Sequence, residues 1–144
     1  MKYQSVVTWF IAMATIFALS ACSGERIEYD NLNEKIDYLI EDNRYETALE
    51  ILDEEDPEDP AVQTLLEKTH LNYALHSMNT FDETEMRTRM NNALRQFTEV
   101  LRINPENAVA QNQIEQILQI YDTIPDRQPE EDVIAGLREV GFNI

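Results

Sequence analysis

Along most of the chain, apolar residues recur every three or four positions with polar residues between them. Leu32, Ile36 and Leu39 show this spacing, and so do Phe97 and Leu101 further along. Residues at that spacing lie on one face of a helix, whereas a half-buried strand would alternate with a period of two. No stretch alternates for long enough to indicate a strand. The pattern therefore predicts an all-α domain.

The ends of the helices are marked by residues that cap or interrupt them. Asp59 before Pro60 predicts an N-cap followed by a proline in the first turn, where the missing N–H has no cost. Asp82, with Glu85 three residues later, has the form of a capping box. The remaining signals are an N-cap at Asn107, a helix opening at Pro129 and a helix end at Gly141.

These boundaries predict six helices joined by short loops, which suggests three antiparallel hairpins. The predicted helices are residues 31–42, 45–54, 60–78, 83–103, 108–123 and 129–140.

The first 21 residues have a different pattern. Lys2 is followed by an uncharged, mostly apolar run of about 16 residues, and small residues then lead to Cys22. A helix that spans the hydrocarbon core needs about 20 apolar residues, so a permanent transmembrane helix is the weaker alternative. The pattern is typical of a secretory signal peptide over residues 1–21.

Cys22 is the single cysteine of the chain. A disulfide needs a second cysteine, and a catalytic thiol needs a base and a pocket, which a position so far before the first helix does not offer. The four residues "LSAC" that end at Cys22 resemble the lipobox of bacterial lipoproteins. The resemblance implies cleavage before Cys22, acyl chains on its thiol and amino group, and residues 22–30 as a lipidated tether. Ser23 implies the outer membrane, on its periplasmic side, rather than the inner membrane.

The charge of the chain changes which partners are possible. All 28 acidic residues follow the signal, against ten of the eleven basic residues, which gives the exported part a formal charge of −18. Such a surface repels the phosphates of nucleic acids. The charge therefore argues against nucleic-acid binding, and it does not by itself identify a partner.

Two stretches of the chain recur. The segment "DPEDPAVQTLLEKTHLNY" from Asp56 aligns with "NPENAVAQNQIEQILQIY" from Asn104, 48 residues later. The segment "RYETALEIL" from Arg44 aligns with "RMNNALRQF" from Arg89, 45 residues later. Both halves of a helical hairpin therefore recur, and such units stack because one hairpin cannot bury its own apolar face.

The best-matched unit, "ALRQFTEVLRINPENAVAQ", resembles the tetratricopeptide repeat (TPR) family. Ala93 allows two helices to approach, Phe97 fills the space beside it, and Pro105 ends the helix before the next one begins. The resemblance implies a short TPR-like solenoid of about three antiparallel hairpins over residues 31–144. The middle unit is about 14 residues longer than the 34-residue period of the family, and the second helix of the first unit ends early at "DEEDPEDP".

In the TPR family, partners bind in a groove lined by the first helix of each hairpin. Polar pairs spaced by four residues would face that groove and could hydrogen-bond a peptide or a partner helix. The alternative is that they are ordinary solvent-facing residues. The expected groove residues are Asn33, Asp37, Thr64, Lys68, Asn112 and Gln116.

The extra residues of the middle unit predict a longer hairpin whose tip carries Met78, Phe81 and Met86. Methionine-rich surfaces can adapt to a partner. The alternative is that these residues pack the longer hairpin itself.

Other chemistry finds little support in the sequence. The run "DEEDPEDP" lacks the ligand spacing and the central glycine of an EF-hand loop, so a solvated acidic turn is the better interpretation. His70 and His76 are six residues apart, do not share a helix face, and form a poor metal pair. No catalytic triad, phosphate-binding loop or zinc pattern is present. We therefore expect no metal, no cofactor and no enzymatic activity.

The sequence thus leads to an expectation about function. The protein is expected to be a membrane-anchored lipoprotein whose TPR-like repeats bind another envelope protein or peptide as a scaffold or assembly factor. The alternative is an envelope protein that binds a cation or a small cationic solute through its acidic turns.

Overall fold

A computed structural model of the chain describes residues 31–80 and 84–144. These residues form α-helices without strands, which confirms the all-α prediction. The signal segment, Cys22, the tether, Phe81 and Asp82 lie outside the described residues. Among the described helices, none has the length and apolar character needed to span a membrane. The helices are α1 (Leu32–Glu41), α2 (Tyr45–Leu52), α3 (Pro60–Asn79), α4 (Met86–Ile103), α5 (Ala108–Asp122) and α6 (Glu131–Glu139).

Two predicted helix starts are confirmed in atomic detail. The Asp59 carboxylate accepts a hydrogen bond from the amide of Ala61 at 2.8 Å, and Pro60 is the first residue of α3. The Asn107 side chain accepts from the amide of Ala110 at 2.9 Å and caps α5. In both cases the side chain replaces a partner that the first turn of a helix lacks.

Two other predicted starts are wrong by two or three residues. Helix α4 begins at Met86 rather than at residue 83, and its N-cap Glu85 makes no capping bond because its carboxylate accepts from Arg89 at 3.1 Å. Helix α6 begins at Glu131 rather than at residue 129. The amide of Glu130, just before α6, donates to the side chain of Asn91 at 3.0 Å, so a contact with a distant helix sets this start.

Helices α1 and α6 end in the same way, on a residue with positive φ. Gly141, at φ 103°, ends α6 as predicted, and the amide of Phe142 donates back to the carbonyl of Leu137 at 3.0 Å. Asn43, at φ 57°, plays the same part after α1. Glycine and asparagine are the residues that adopt this left-handed geometry most readily, and the backward bonds satisfy carbonyls at the helix end.

The buried apolar residues form two clusters, and α3 contributes to both. The first cluster joins α1, α2 and the start of α3, where Val62 and Leu65 are buried. The second joins the rest of α3, through Ala74, to α4, α5 and α6. Because α3 is covered on different sides along its length, its apolar residues do not form a single stripe. The central residues of the second cluster are Leu94, Phe97, Ile114, Ile117 and Leu137.

The middle hairpin is the longest part of the fold, as its extra residues predict. Helix α3 has 20 residues and α4 has 18, whereas α2 has eight. Helix α4 contacts α3, α5 and α6, and α6 lies mainly against α4 rather than against α5. The last pair of helices therefore departs from a simple hairpin, and the TPR-like solenoid stays a prediction.

Candidate functional site

The predicted groove residues lie on α1, α3 and α5, and one pair of them is in direct contact. Lys68 on α3 forms an ion pair with Asp37 on α1, with Nζ and Oδ1 2.6 Å apart. Both side chains are 46 % exposed, so solvent weakens the pair and it remains open to competition from a partner. The structure thus brings together the first helices of two predicted units at this point.

The other four predicted groove residues are exposed, but they differ in what they can offer. The Thr64 hydroxyl donates to the carbonyl of Pro60 at 2.8 Å and is therefore occupied within its own helix. Asn33 on α1 is exposed, as are Asn112 and Gln116 on α5. These three carboxamides could hydrogen-bond a partner, so the groove stays a prediction that rests mainly on them and on the Asp37–Lys68 pair.

The methionines expected at the tip of the middle hairpin are part of the second core. Met78 and Met86 are half-buried and pack against its buried residues. Packing of the longer hairpin thus accounts for much of their surface. Met86 additionally lines a shallow notch between α4 and α5.

The recurring turns of the sequence also recur as hydrogen bonds. In each turn an acidic or amide side chain accepts from the amide two residues later, and a glutamine reaches back to the carbonyl of the turn proline. The bonds of the first turn are Glu58 N to Asp56 Oδ1 (3.0 Å) and Gln63 Nε2 to Pro57 O (3.2 Å), and those of the second are Glu106 N to Asn104 Oδ1 (3.2 Å) and Gln111 Nε2 to Pro105 O (2.8 Å).

The acidic run and the histidines take structural roles. Asp56 and Asp59 use their carboxylates within the turn before α3, in agreement with a solvated acidic turn. His70 is half-buried, with Nδ1 2.7 Å from Oε1 of Gln96, in agreement with a boundary histidine. Within residues 31–80 and 84–144, no three His, Cys, Asp or Glu side chains are grouped so that they could hold a metal ion.

An aromatic cluster joins α2 to α3, where the first and middle predicted units meet. The rings of Tyr45 and Tyr73 are stacked, with centroids 5.0 Å apart and planes 10° from parallel, and His76 tilts against Tyr45 at 5.4 Å. The Tyr73 hydroxyl donates to the Glu46 carboxylate at 2.6 Å. Burial raises the pKa of Tyr73, and the Glu46 carboxylate raises it further because it stabilises the protonated phenol.

The equivalent positions between α4 and α5 hold a different set of side chains. The two alignments match Tyr73 with Tyr121 at an offset of 48 and Tyr45 with Met90 at an offset of 45, and the first offset, continued three residues beyond the aligned segment, places Ile124 opposite His76. Tyr121 is 8 % exposed, and its hydroxyl is buried with no hydrogen-bond partner among the described residues. Burial raises the pKa of Tyr121, while the charges of Arg87 and Arg127 oppose that change.

The missing partner of Tyr121 has a clear cause. The residue that matches Glu46 is Asn91 on α4, and its carboxamide is committed elsewhere. Its nitrogen donates to the carbonyl of Arg87 at 3.0 Å and to the Glu130 carboxylate at 3.2 Å, and its oxygen accepts from the Glu130 amide. The Glu130 carboxylate in turn accepts from Arg95 at 2.5 Å.

A notch therefore lies between α4 and α5 where a filled aromatic cluster lies between α2 and α3. The notch is walled by apolar side chains and two arginines, and it encloses only about 20 Å³. It adjoins a cavity of about 420 Å³, which shares Tyr121 and Arg127 with it and adds the carboxamides of Gln128 and Asn143. The residues of the notch are Met86, Arg87, Met90, Ile120, Tyr121, Ile124 and Arg127.

The sequence-based prediction missed this site, apart from Met86. The signal was present in the repeat alignment, since Tyr45 and Glu46 stand opposite Met90 and Asn91. What the alignment does not contain is the bond between Asn91 and Glu130, 39 residues apart, which leaves Tyr121 without a partner.

Comparison with protein-family models, with curated proteins and with solved structures finds no match for this chain.

Proposed function

We propose that the protein is a lipid-anchored envelope protein whose helical repeats bind another protein, as a scaffold or an assembly factor. The observation that supports this most directly is that two hydrogen bonds of the turn before α3 recur in the turn before α5. Units that repeat in this way present the same face of successive helices to solvent, and an extended face of that kind suits a protein partner. Asp37, Lys68, Asn112 and Gln116 supply polar groups on α1, α3 and α5.

The anchor rests on the sequence before the described residues. The apolar run that ends in "LSAC" supports acylation of Cys22, and two or three acyl chains give the stable attachment that a single chain does not. A protein held at the membrane in this way meets its partners at high local concentration.

The anchor is tested by Cys22→Ser, expressed in a Gram-negative host with a radiolabelled fatty acid. The variant should lose the label and move from the membrane fraction to the soluble fraction. Ser23→Ala is the matched control and should keep both properties, because its thiol acceptor is intact. Full membrane retention of Cys22→Ser would contradict the proposed anchor.

Protein binding is tested by quantitative crosslinking in native membranes, with the groove varied by charge. Lys68→Glu should reduce the yield of a specific crosslinked partner by about tenfold, since it reverses the one cation predicted to face the groove. The swap Asp37→Lys with Lys68→Glu restores an ion pair and separates lost recognition from lost stability. Glu50→Lys, an exposed reversal on α2, is the control and should leave the yield unchanged.

If neither Lys68→Glu nor Asn112→Ala lowers the yield of any crosslinked partner, the groove is not the binding surface. If, in addition, no crosslinked protein is enriched relative to control membranes that lack this protein, the proposed function fails.

A further inference from the structure

The contact between α2 and α3 and the matching contact between α4 and α5 differ in a carboxylate. Between α2 and α3 the Glu46 carboxylate accepts from the Tyr73 hydroxyl, and the ring of Tyr45 stacks on the ring of Tyr73. Between α4 and α5 the matching hydroxyl, on Tyr121, is buried without a partner among the described residues, and Met90 takes the place of Tyr45. A buried donor without an acceptor costs about 1–3 kcal/mol, so an acceptor supplied from outside would recover that free energy.

The charge beside Tyr121 identifies the acceptor as an anion. Arg87 and Arg127 line the notch, and neither guanidinium forms an ion pair or a side-chain hydrogen bond within the described residues. The other four arginines of residues 84–144 all have acceptors. These pairs are Arg89 with Glu85, Arg95 with Glu130 and Asp132, Arg102 with Glu99 and Glu139, and Arg138 with the main-chain oxygen of Ile144.

Two uncommitted guanidiniums on one notch are unusual in a domain where acidic residues are in such excess. The nearby acidic groups do not compensate them: Glu130 is bonded to Asn91 and Arg95, and Asp122 lines the adjoining cavity without pairing with Arg127. Arginine binds carboxylates through two parallel hydrogen bonds, which gives a carboxylate ligand both strength and orientation.

The walls of the notch identify what the carboxylate is attached to. Met86, Met90, Ile120 and Ile124 line the notch together with the two arginines and Tyr121, and Met90 is itself buried. A group that fits must therefore carry an apolar side chain within a few ångströms of its carboxylate. The neighbouring cavity, with the carboxamides of Gln128 and Asn143, offers hydrogen bonds to polar groups further along the ligand.

From these observations we infer that the notch beside Tyr121 binds the free C-terminal carboxylate of a partner peptide whose last residue is apolar. The carboxylate lies against Arg87 and Arg127 and, once the Met86 or Arg87 side chain moves aside, accepts from the buried Tyr121 hydroxyl, as Glu46 does from Tyr73. The last side chain lies on the methionines and isoleucines. The inference rests on the proposed protein-binding function, and names the chemistry of the partner and a second contact region apart from the groove.

The inference is tested by fluorescence polarisation with a labelled hexapeptide that ends in leucine, as the free acid and as the C-terminal amide. The free acid should bind saturably, and amidation should weaken binding at least tenfold, since it removes the charge that the arginines recognise. Arg87→Gln and Arg127→Gln should each weaken binding of the free acid by about tenfold and should have little effect on the amide. Arg44→Gln, which removes the same charge in the turn after α1, is the matched control.

Tyr121→Phe separates binding from folding. The Tyr121 hydroxyl has no partner among the described residues, so its removal should leave the free energy of unfolding unchanged or slightly raised. Binding of the free acid should nevertheless fall several-fold. A variant that is as stable as the parent and binds as tightly would overturn the assignment of Tyr121.

The remaining outcomes distinguish this site from others. Equal binding of acid and amide, or no saturable binding of the acid, overturns the inference. Octanoate that binds as tightly as the peptide would assign the site to free fatty acids instead. If the peptide fails while crosslinked partners still depend on Lys68, the inference falls and the proposed function stands.

Discussion

Asn91 on α4 is completely buried, and both the nitrogen and the oxygen of its carboxamide have hydrogen-bond partners. Its nitrogen donates to the carbonyl of Arg87 and to the Glu130 carboxylate, and its oxygen accepts from the Glu130 amide. A buried polar side chain is tolerated when its partners are complete, and it then fixes the elements that supply them. Here one residue holds the segment before α6 to the middle of α4.

Asn91→Ala should therefore lower the free energy of unfolding by about 2 kcal/mol, because it leaves the half-buried amide of Glu130 without its acceptor and opens a small cavity. Urea unfolding followed by circular dichroism measures the change. Asn112→Ala on the exposed face of α5 is the control and should stay within about 0.5 kcal/mol of the parent. A change below that limit for Asn91→Ala would show that the contact with Glu130 contributes nothing to stability.

Gly136, inside α6, and Gly141, just after it, should change the free energy of unfolding in opposite directions when each is replaced by alanine. Gly136 lies inside α6, and an added Cβ would meet Thr98 Cγ2 at 3.4 Å, an ordinary contact. Gly136→Ala should thus raise the free energy of unfolding by up to about 1 kcal/mol, through helix propensity. Gly141 has φ 103° with open space around it, so Gly141→Ala should lower that free energy by about 1–2 kcal/mol through backbone strain alone. Thermal unfolding of both variants tests the pair, and equal signs would contradict this account.

At the level of the helices, a start that depends on neighbouring residues could be predicted from the sequence, whereas a start that depends on a distant contact could not. The starts of α3 and α5 follow from Asp59 and Asn107, whose caps lie within three residues. The start of α6 depends on Asn91, 39 residues away, and no local pattern contains that contact. The candidate notch was missed for the same reason: the alignment shows Met90 and Asn91 opposite Tyr45 and Glu46, but it does not contain the bond between Asn91 and Glu130.

Ion pairs at the two ends of α6 add to its packing against α4, in which Val133 and Leu137 are buried. Arg95 binds Glu130 and Asp132 at the start of α6, and Arg102 binds Glu139 at 2.8 Å at its end. The hydrogen bond from Arg95 lowers the pKa of the Asp132 carboxyl below its ordinary value. A depressed folded-state pKa means that the carboxylate stabilises the fold above its unfolded-state pKa of about 4, and that this contribution is lost as the pH falls through the lower, folded value.

We therefore expect α6 to become less protected than α4 in acid. Hydrogen exchange at about pH 6 and about pH 3, corrected for intrinsic rates, should show a selective loss of protection in α6 at the lower pH. In Asp132→Asn, protection of α6 should be lower at neutral pH and should change less between the two conditions. The same loss in parent and variant would show that Asp132 is not part of the acid response.

At the scale of the whole molecule, charge is distributed unevenly along the described chain. Residues 31–80 carry 13 acidic and three basic side chains, whereas residues 84–144 carry ten and six. Repulsion among like charges destabilises a compact state. Salt weakens this repulsion, and it also weakens the attraction within the surface ion pairs. Exposed ion pairs contribute at most about 1 kcal/mol each, and carboxylates outnumber cations in both parts, so repulsion should dominate.

Added salt should therefore stabilise the protein. The Tm should rise by several degrees between about 0.01 M and 0.5 M NaCl, over which the screening length falls from about 30 Å to a few ångströms. Glu54→Lys, within the exposed acidic turn before α3, should raise the Tm at low salt and lose most of that gain at high salt. Glu115→Lys on α5 should gain less, because fewer carboxylates surround it in the sequence.

Sodium and tetramethylammonium chloride should act alike at equal ionic strength, since screening depends on charge alone. A Tm that does not rise with salt would contradict repulsion as the dominant effect, and a rise specific to one cation would favour cation binding by the acidic turns.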